Sequence, residues 1–305
     1  MMSTKLSPGA LQSGGFPAFP FLALLAGGVA IGFAGIFMRL SDVSPLASAF
    51  WRMALALPLL WLWAFASAGK DERAGKRIGF APVLALAGIY FAADMGVWHL
   101  SLHYTTVANA TLLGNFAPIL IALWLWLVHR ARFARVFIVG MAFALLGAVL
   151  LIGPQTGGRA GGDKLLGDAL GLATAVFYAA YQLTVKDARD QYSAARLMAW
   201  STTVTAAALL PVALLAPGPF WPAQASGWLP LIALALVAQI GGQTVIAYAF
   251  AHLPASLSSV SLLIQPLTAA IAAWLLFAER IGPLQMAGGL LLLLGIYLAK
   301  RGSRL

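Results

Sequence analysis

The chain has 305 residues, of which 61% are hydrophobic and only 9% charged, with a formal net charge of +10. Soluble domains carry about 25% charged residues, so water is not the solvent for most of this surface, and the chain reads as an all-α integral membrane protein. It has no cysteine, which excludes disulfides and thiolate metal sites; its basic residues fall in short clusters between apolar runs, which argues against nucleic acid as a partner.

A helix needs about 20 apolar residues to cross a bilayer. Ten runs meet that length, at 18–40, 45–68, 78–101, 105–129, 133–153, 165–185, 193–216, 228–251, 255–277 and 281–299. The first follows Lys5 and has the outline of a signal peptide. It is charge-free from Leu6 to Met38, longer than the about 7–15 residues of a signal core, and it meets Arg39 with no clear cleavage site. It is therefore read as a retained spanning helix. The third and sixth runs hold polar residues. Between Arg196 and Glu279 there is no Asp, Glu, Lys or Arg, so that stretch is divided by its breakers, Pro217-Gly218-Pro219 with Pro222, and His252-Leu253-Pro254. Nine or eleven helices are the alternative counts.

Loop charges set the orientation. With ten helices both termini share a side, and that side receives 14 of the 19 basic residues. Arg39, Arg159, Lys164 and Arg280 fall on the other side, and Arg52 falls inside a helix. Both termini are expected in the cytoplasm of a cell with this protein in its inner membrane. Anionic headgroups then account for the basic balance.

A constant offset of 148 residues aligns the fourth and fifth runs with the ninth and tenth. It pairs Pro118 with Pro266, Trp126 with Trp274, Arg132 with Arg280, Gly140 with Gly288 and Gly147 with Gly295. The organisation expected is a tail over 1–17, a five-helix repeat over 18–153, a glycine-rich linker over 154–164, a second repeat over 165–300 and a basic tail over 301–305. Five is odd, so the second repeat must sit upside down relative to the first. Inverted repeats characterise secondary transporters.

At this point the chain resembles a known family. Leu275-Leu-Phe-Ala-Glu-Arg-Ile-Gly-Pro-Leu-Gln-Met-Ala-Gly-Gly289 is similar to the end of the ninth helix and start of the tenth in EamA-type exporters of the drug/metabolite transporter superfamily. Phe50-Trp51-Arg52 resembles that family's second-helix arginine. The resemblance implies export of a small molecule, with bacterial exporters of aromatic and other amino acids, and of cationic drugs, as the nearest likeness. One departure stands out. The first-half equivalent of Glu279 is Ala131, so Glu279 is expected to serve a local hydrogen bond or ion pair.

Polar residues inside the bilayer face partners or a cavity. Arg52 lies seven residues past Pro45, about 10 Å below the outer face, and Asp94 lies at a similar depth. Four readings stand: a structural Arg52–Asp94 ion pair, Arg52 as receiver of a substrate carboxylate, Asp94 as carrier of a coupling proton, and a snorkelling Arg52 or a hydrated Asp94. Tyr90, Asp94, Trp98 and Ser101 share one helical face that suits a cavity. His99 is offset from it and His103 stands at the outer mouth; an interfacial role is the alternative for Trp98 and His103. The sixth run offers Tyr178, Tyr181, Gln182 and Lys186, the last marking the helix end. The eighth offers Gln239 and Gln243, which either join helices or hold a zwitterion. Asn109, Thr111 and Asn115 lie on the fourth; Ser256, Ser258, Ser259, Ser261 and Gln265 lie on the ninth, where small hydroxyls also permit close packing. Pro118 and Pro266 are candidate hinges.

The expected cavity is aromatic and amide-rich, suited to a small, largely neutral amino acid, with organic cations as the rival cargo. No enzyme is expected, since the chain lacks cysteine and a Gly-x-Ser-x-Gly elbow. Without a P-loop, direct use of ATP is not expected either. No cofactor or metal is anticipated. Proton antiport and facilitated diffusion both stay open, and the glycines of the fifth and tenth runs permit packing either between the halves or between two protomers of a homodimer.

Overall fold

The computed structural model describes residues 16–102, 104–153 and 163–303. His103, the tail up to residue 15, linker residues 154–162 and residues 304–305 lie outside the described residues. Among the described residues, nine stretches are long and apolar enough to cross a membrane: Ala18–Leu40, Pro45–Arg73, Pro82–Ser101, Asn109–His129, Arg135–Ile152, Ala194–Leu215, Ala225–Phe250, Ala255–Phe277 and Pro283–Gly302. Lys164–Gln191 is a further continuous helix of 28 residues. Counted with it in chain order, the spans are first to tenth, and this helix is the sixth. It is long enough but too polar to pass the same test. Thr174, Gln182 and Thr184 on it are buried while Leu165, Leu172 and Val176 are exposed. Its polar residues thus point into the protein, where it packs against the third, fourth, eighth and ninth spans.

The solvent-facing surface is apolar, as a bilayer requires. Trp126 and Trp274, equivalent across the 148-residue offset, are both more than half exposed, as are Leu127 and its equivalent Leu275. These residues face lipid and do not enter a cavity.

The packing has the two-fold character of an inverted repeat. The third span packs on the sixth, and its counterpart, the eighth, packs on the first. The second packs on the seventh and the fifth on the tenth. The last pair shows the symmetry atom by atom. A Cβ placed on Gly140 would sit 2.8 Å from the Gly295 carbonyl oxygen, and one on Gly288 would sit 2.8 Å from the Gly147 carbonyl oxygen. Each contact becomes the other when 148 is added to one number and subtracted from the other. Phe137 near the start of the fifth span meets Gly302 at the end of the tenth, and Leu151 near the end of the fifth meets Gln285 at the start of the tenth. The two helices are therefore antiparallel, which is what inverted halves demand. These glycines approach backbone of the other half of the same chain, so intramolecular packing consumes them.

The fourth and ninth spans are both interrupted. Helix Val107–Gly114 ends at Asn115 and resumes as Ala117–His129; Ala255–Ser261 ends at Leu262 and resumes as Ile264–Phe277. Pro118 and Pro266 lie just past the breaks, where each lacks the N–H that would have continued the helical ladder. Beside the breaks, Asn115 Nδ2 donates to the Thr111 carbonyl at 2.9 Å and Thr268 Oγ1 to that of Ile264 at 3.0 Å, each a side-chain bond back to the preceding turn. The same two spans end alike. Arg130 and Ala278, 148 residues apart, both adopt left-handed backbone, with φ of 51° and 53°. The repeat thus keeps the backbone where the side chains have diverged. Left-handed backbone costs a non-glycine residue about 1–2 kcal/mol, part of which glycine returns through unfolded-state entropy. Ala278→Gly is expected to stabilise the protein by about 0.5–1 kcal/mol, read as a raised thermal midpoint in detergent.

Candidate functional site

The polar centre of the bundle is built around Arg52, which lies about two turns past the start of the second span and is only 6% exposed. Its Nε donates to Gln239 Oε1 at 3.0 Å, and Gln239 Nε2 donates to Thr202 Oγ1 at 3.0 Å. This chain of bonds ties together the second, seventh and eighth spans. The eighth span carries a π-helical stretch over Leu234–Gln243, a wider turn often found at functional sites. Gln239 and Gln243 both fall in it and both are buried.

The direct Arg52–Asp94 ion pair weighed from the sequence is not formed. Among the described residues the sole ion pair within 4 Å is Arg39 with Glu279. Arg52 and Asp94 remain electrostatic neighbours. Their depths agree, but the Arg52 Nε is committed to Gln239, and its Nη2 is buried with no hydrogen-bond partner among the described residues. The guanidinium carbon lies 5.7 Å from the Phe91 ring centroid. Phe91 stacks on Tyr181 at 4.6 Å, and Tyr181 on Tyr178 at 6.4 Å. Tyr178 Oη accepts from Gln265 Nε2 at 3.2 Å. Arg52, Asp94 and the two tyrosines all interact electrostatically. The centre therefore combines one cation, one carboxylate, a row of three rings and several amides.

Other sequence candidates take lesser places. Tyr90 is half-buried and packs against the hydrophobic core. Ser101 is buried and donates to the Trp98 carbonyl at 2.6 Å, so its hydroxyl serves its own helix; Trp98 meets His99 edge-on. His99 stands four residues before His103, but its Nδ1 is engaged with the Met95 carbonyl at 2.7 Å. Asn115, at the break in the fourth span, donates to the Thr111 carbonyl of its own helix. Asn109 donates to Asp168 and to Thr105 on the face opposite the basic one. Gln182 is buried with neither amide atom bonded, and the buried hydroxyls of Ser258 and Ser259 likewise have no partner among the described residues. Phe91 and Thr202 complete the centre and were not singled out from the sequence. Phe91 stands three residues before Asp94, a spacing that places it on the same side of the helix, but a phenylalanine in an apolar run carries no distinguishing mark. Thr202 carries no signal at all in the sequence.

Both faces of the bundle are fastened. On the opposite face Arg39 pairs with Glu279, the local role expected of Glu279, and Trp51 Nε1 donates to the Phe220 carbonyl at 2.9 Å. On the basic face Lys186 Nζ donates to the Phe250 carbonyl at 2.7 Å and Arg189 Nε to the Ala247 carbonyl at 2.9 Å. These two side chains of the sixth span thus satisfy carbonyls at the end of the eighth. Lys186 therefore does more than mark a helix end. Ser193 Oγ donates to the buried Asp71 at 2.7 Å, joining the second and seventh spans.

The model of the EamA-like transporter family matches twice, over residues 18–153 and 165–301. The chain belongs to the EamA-like transporter family. Two curated relatives from Archaeoglobus fulgidus, each named an uncharacterized transporter, are 27% and 23% identical to it. The first alignment covers 85% of this chain and 89% of the relative, the second 92% and 95%. A solved crystal structure is similar with a TM-score of 0.77 at 17% identity, covering 94% of this chain and 98% of that one; at that identity the likeness speaks for the fold. This EamA-like chain is a multi-pass membrane transporter.

Proposed function

We propose that this EamA-like transporter exports amino acids, aromatic and other largely neutral ones, across the inner membrane by alternating access, with both termini in the cytoplasm. One observation carries the reading. Among the described residues, a buried arginine with an uncommitted N–H group and a carboxylate with no ion-pair contact within 4 Å flank a row of stacked rings. A zwitterion needs both charges met, and an aromatic side chain gains about 0.5–1.5 kcal/mol from ring contact beyond its buried area. Arg52 would receive the carboxylate, Asp94 the ammonium group, and Phe91, Tyr181 and Tyr178 the side chain. Gln182, Ser258 and Ser259, with buried unpaired polar atoms on the sixth and ninth spans, supply a polar route toward the basic face. The interruptions before Pro118 and Pro266 serve as paired hinges, and the fastenings on the two faces open in turn.

The cationic-drug reading uses Asp94 and the rings but leaves a buried arginine beside a cation, which repels it. The test is counterflow in proteoliposomes against a panel of labelled amino acids and organic cations, with and without a pH gradient. Phenylalanine, tyrosine or tryptophan is expected to exchange fastest and cations not at all. A panel in which no amino acid moves overturns the proposal, and the gradient arm separates proton antiport from facilitated diffusion.

A further inference from the structure

A second buried arginine lies outside the central site. Arg196 is the third residue of the seventh span, at the basic face, and is 6% exposed. It makes no ion pair within 4 Å among the described residues. Its Nε is buried without a hydrogen-bond partner among the described residues, and so is the indole N–H of Trp200, one turn further along the same helix. Asp71, the buried carboxylate at that end of the second span, accepts from Ser67 and Ser193. Two donors four residues apart share one side of a helix, and here both lack an acceptor.

The surroundings are aromatic and open to lipid. The Arg196 guanidinium carbon lies 5.6 Å from the Phe65 ring centroid. Trp200 meets Trp61 edge-on at 4.9 Å and Phe80 at 5.0 Å, and Trp61 packs on Phe65 at 5.3 Å. Phe65 is 64% exposed and Phe80 55%. Trp61 has its own N–H committed to Thr203 Oγ1 at 3.0 Å, so Trp200 is the indole left with a donor to give. A buried guanidinium without a counter-ion is costly. An acceptor able to meet both donors would carry negative charge to suit the guanidinium and would approach past the exposed rings of Phe65 and Phe80.

We propose that Arg196 and Trp200 form a binding site for the phosphate of an anionic phospholipid, with Phe65 and Phe80 covering its glycerol and upper acyl chain. Phosphate chemistry fits a guanidinium with an additional neutral donor. Basic pockets between spanning helices hold anionic headgroups elsewhere for the same reason. A neutral zwitterionic lipid shares the phosphate but brings its own cation beside Arg196. Inorganic phosphate shares the phosphate but has no chain to cover the rings.

The test uses the full chain in detergent, with titrations of phosphatidylglycerol, phosphatidylcholine and inorganic phosphate. Binding is read by native mass spectrometry and by the thermal midpoint. Phosphatidylglycerol is expected to bind and stabilise the wild type well beyond the other two. Arg196→Gln is expected to weaken phosphatidylglycerol retention about 10- to 100-fold, the loss of a charge-assisted hydrogen bond. Trp200→Phe keeps the ring packing and removes only the N–H; it is expected to weaken retention about 3- to 10-fold. Trp200→Phe also keeps the test alive should Arg196→Gln fail to fold. Equal retention of phosphatidylglycerol by the wild type and Trp200→Phe overturns the site, as does equal retention of phosphatidylcholine. Full competition by millimolar inorganic phosphate overturns its assignment to lipid.

Discussion

Arg52→Met is expected to lower amino-acid counterflow at least about 100-fold while the protein still folds. The large effect follows from burial. An arginine that meets a substrate carboxylate away from water contributes about 3–5 kcal/mol when its removal leaves that charge unpaired, and each 1.4 kcal/mol is a factor of ten. The effect on folding is smaller because two terms oppose. Methionine relieves the cost of burying a guanidinium, but it strands Gln239 Oε1, which now accepts from Arg52 at 3.0 Å. A stranded buried acceptor costs about 1–3 kcal/mol. Arg52→Lys separates charge from geometry. It keeps the cation but lacks the planar fork needed to hold Gln239 and still offer an N–H to cargo, so an intermediate rate is expected. Initial rates in proteoliposomes, together with the elution profile and thermal midpoint of each variant, make the comparison. Wild-type transport by a folded Arg52→Met protein would remove Arg52 from the site.

The second large effect is structural. Gly147→Leu or Gly295→Leu is expected to destabilise the protein by more than about 3 kcal/mol, beyond the usual 1–3 kcal/mol of an overpacked core. The obstruction is backbone, which cannot swing aside. A Cβ on Gly147 would lie 2.6 Å from the Gly288 carbonyl oxygen, and one on Gly295 would lie 2.7 Å from that of Gly140. Close approach of small residues is a main source of attraction between helices in lipid, where no hydrophobic effect draws them together. Gly35→Ala and Gly96→Ala are the controls. A Cβ at either meets nothing within 4 Å, and alanine is the better helix former by about 1 kcal/mol. These controls are expected to retain or raise the midpoint while the leucine variants lose monodisperse protein on size exclusion. If Gly147→Leu elutes and melts like the wild type, the fifth and tenth spans do not hold the halves together.

Sequence and structure part company where direction around a helix matters. The depth of Arg52 and Asp94 can be counted from the helix ends, and the two do stand in one electrostatic neighbourhood. Counting cannot tell which way each side chain turns, and Arg52 turned to Gln239. Ser101 and Asn115 carry polar groups at the right heights, yet each spends its bond on a carbonyl of its own helix. Gln265, one of five polar residues noted on the ninth span, turned out to meet Tyr178, a contact 87 residues apart in sequence. Phe91 has the chemistry of a lipid-facing residue and acquires its role from what lies across the gap.

What the sequence determines by itself is whatever depends on composition, length and local covalent chemistry. Apolar runs of bilayer length dictate helices, because no other open structure satisfies its backbone in lipid. The 148-residue offset and the odd number of helices per half dictate inversion. Prolines at equivalent positions dictate where two spans break. The tertiary structure alone decides how those helices turn about their axes and which faces meet. It places the polar side of the sixth helix inward, commits Arg52 to Gln239, brings Phe91 to Tyr181, and leaves Arg196 and Trp200 with donors and no acceptor. These outcomes depend on contacts between residues far apart in the chain, and a packed interior is settled by the fit of all its helices together.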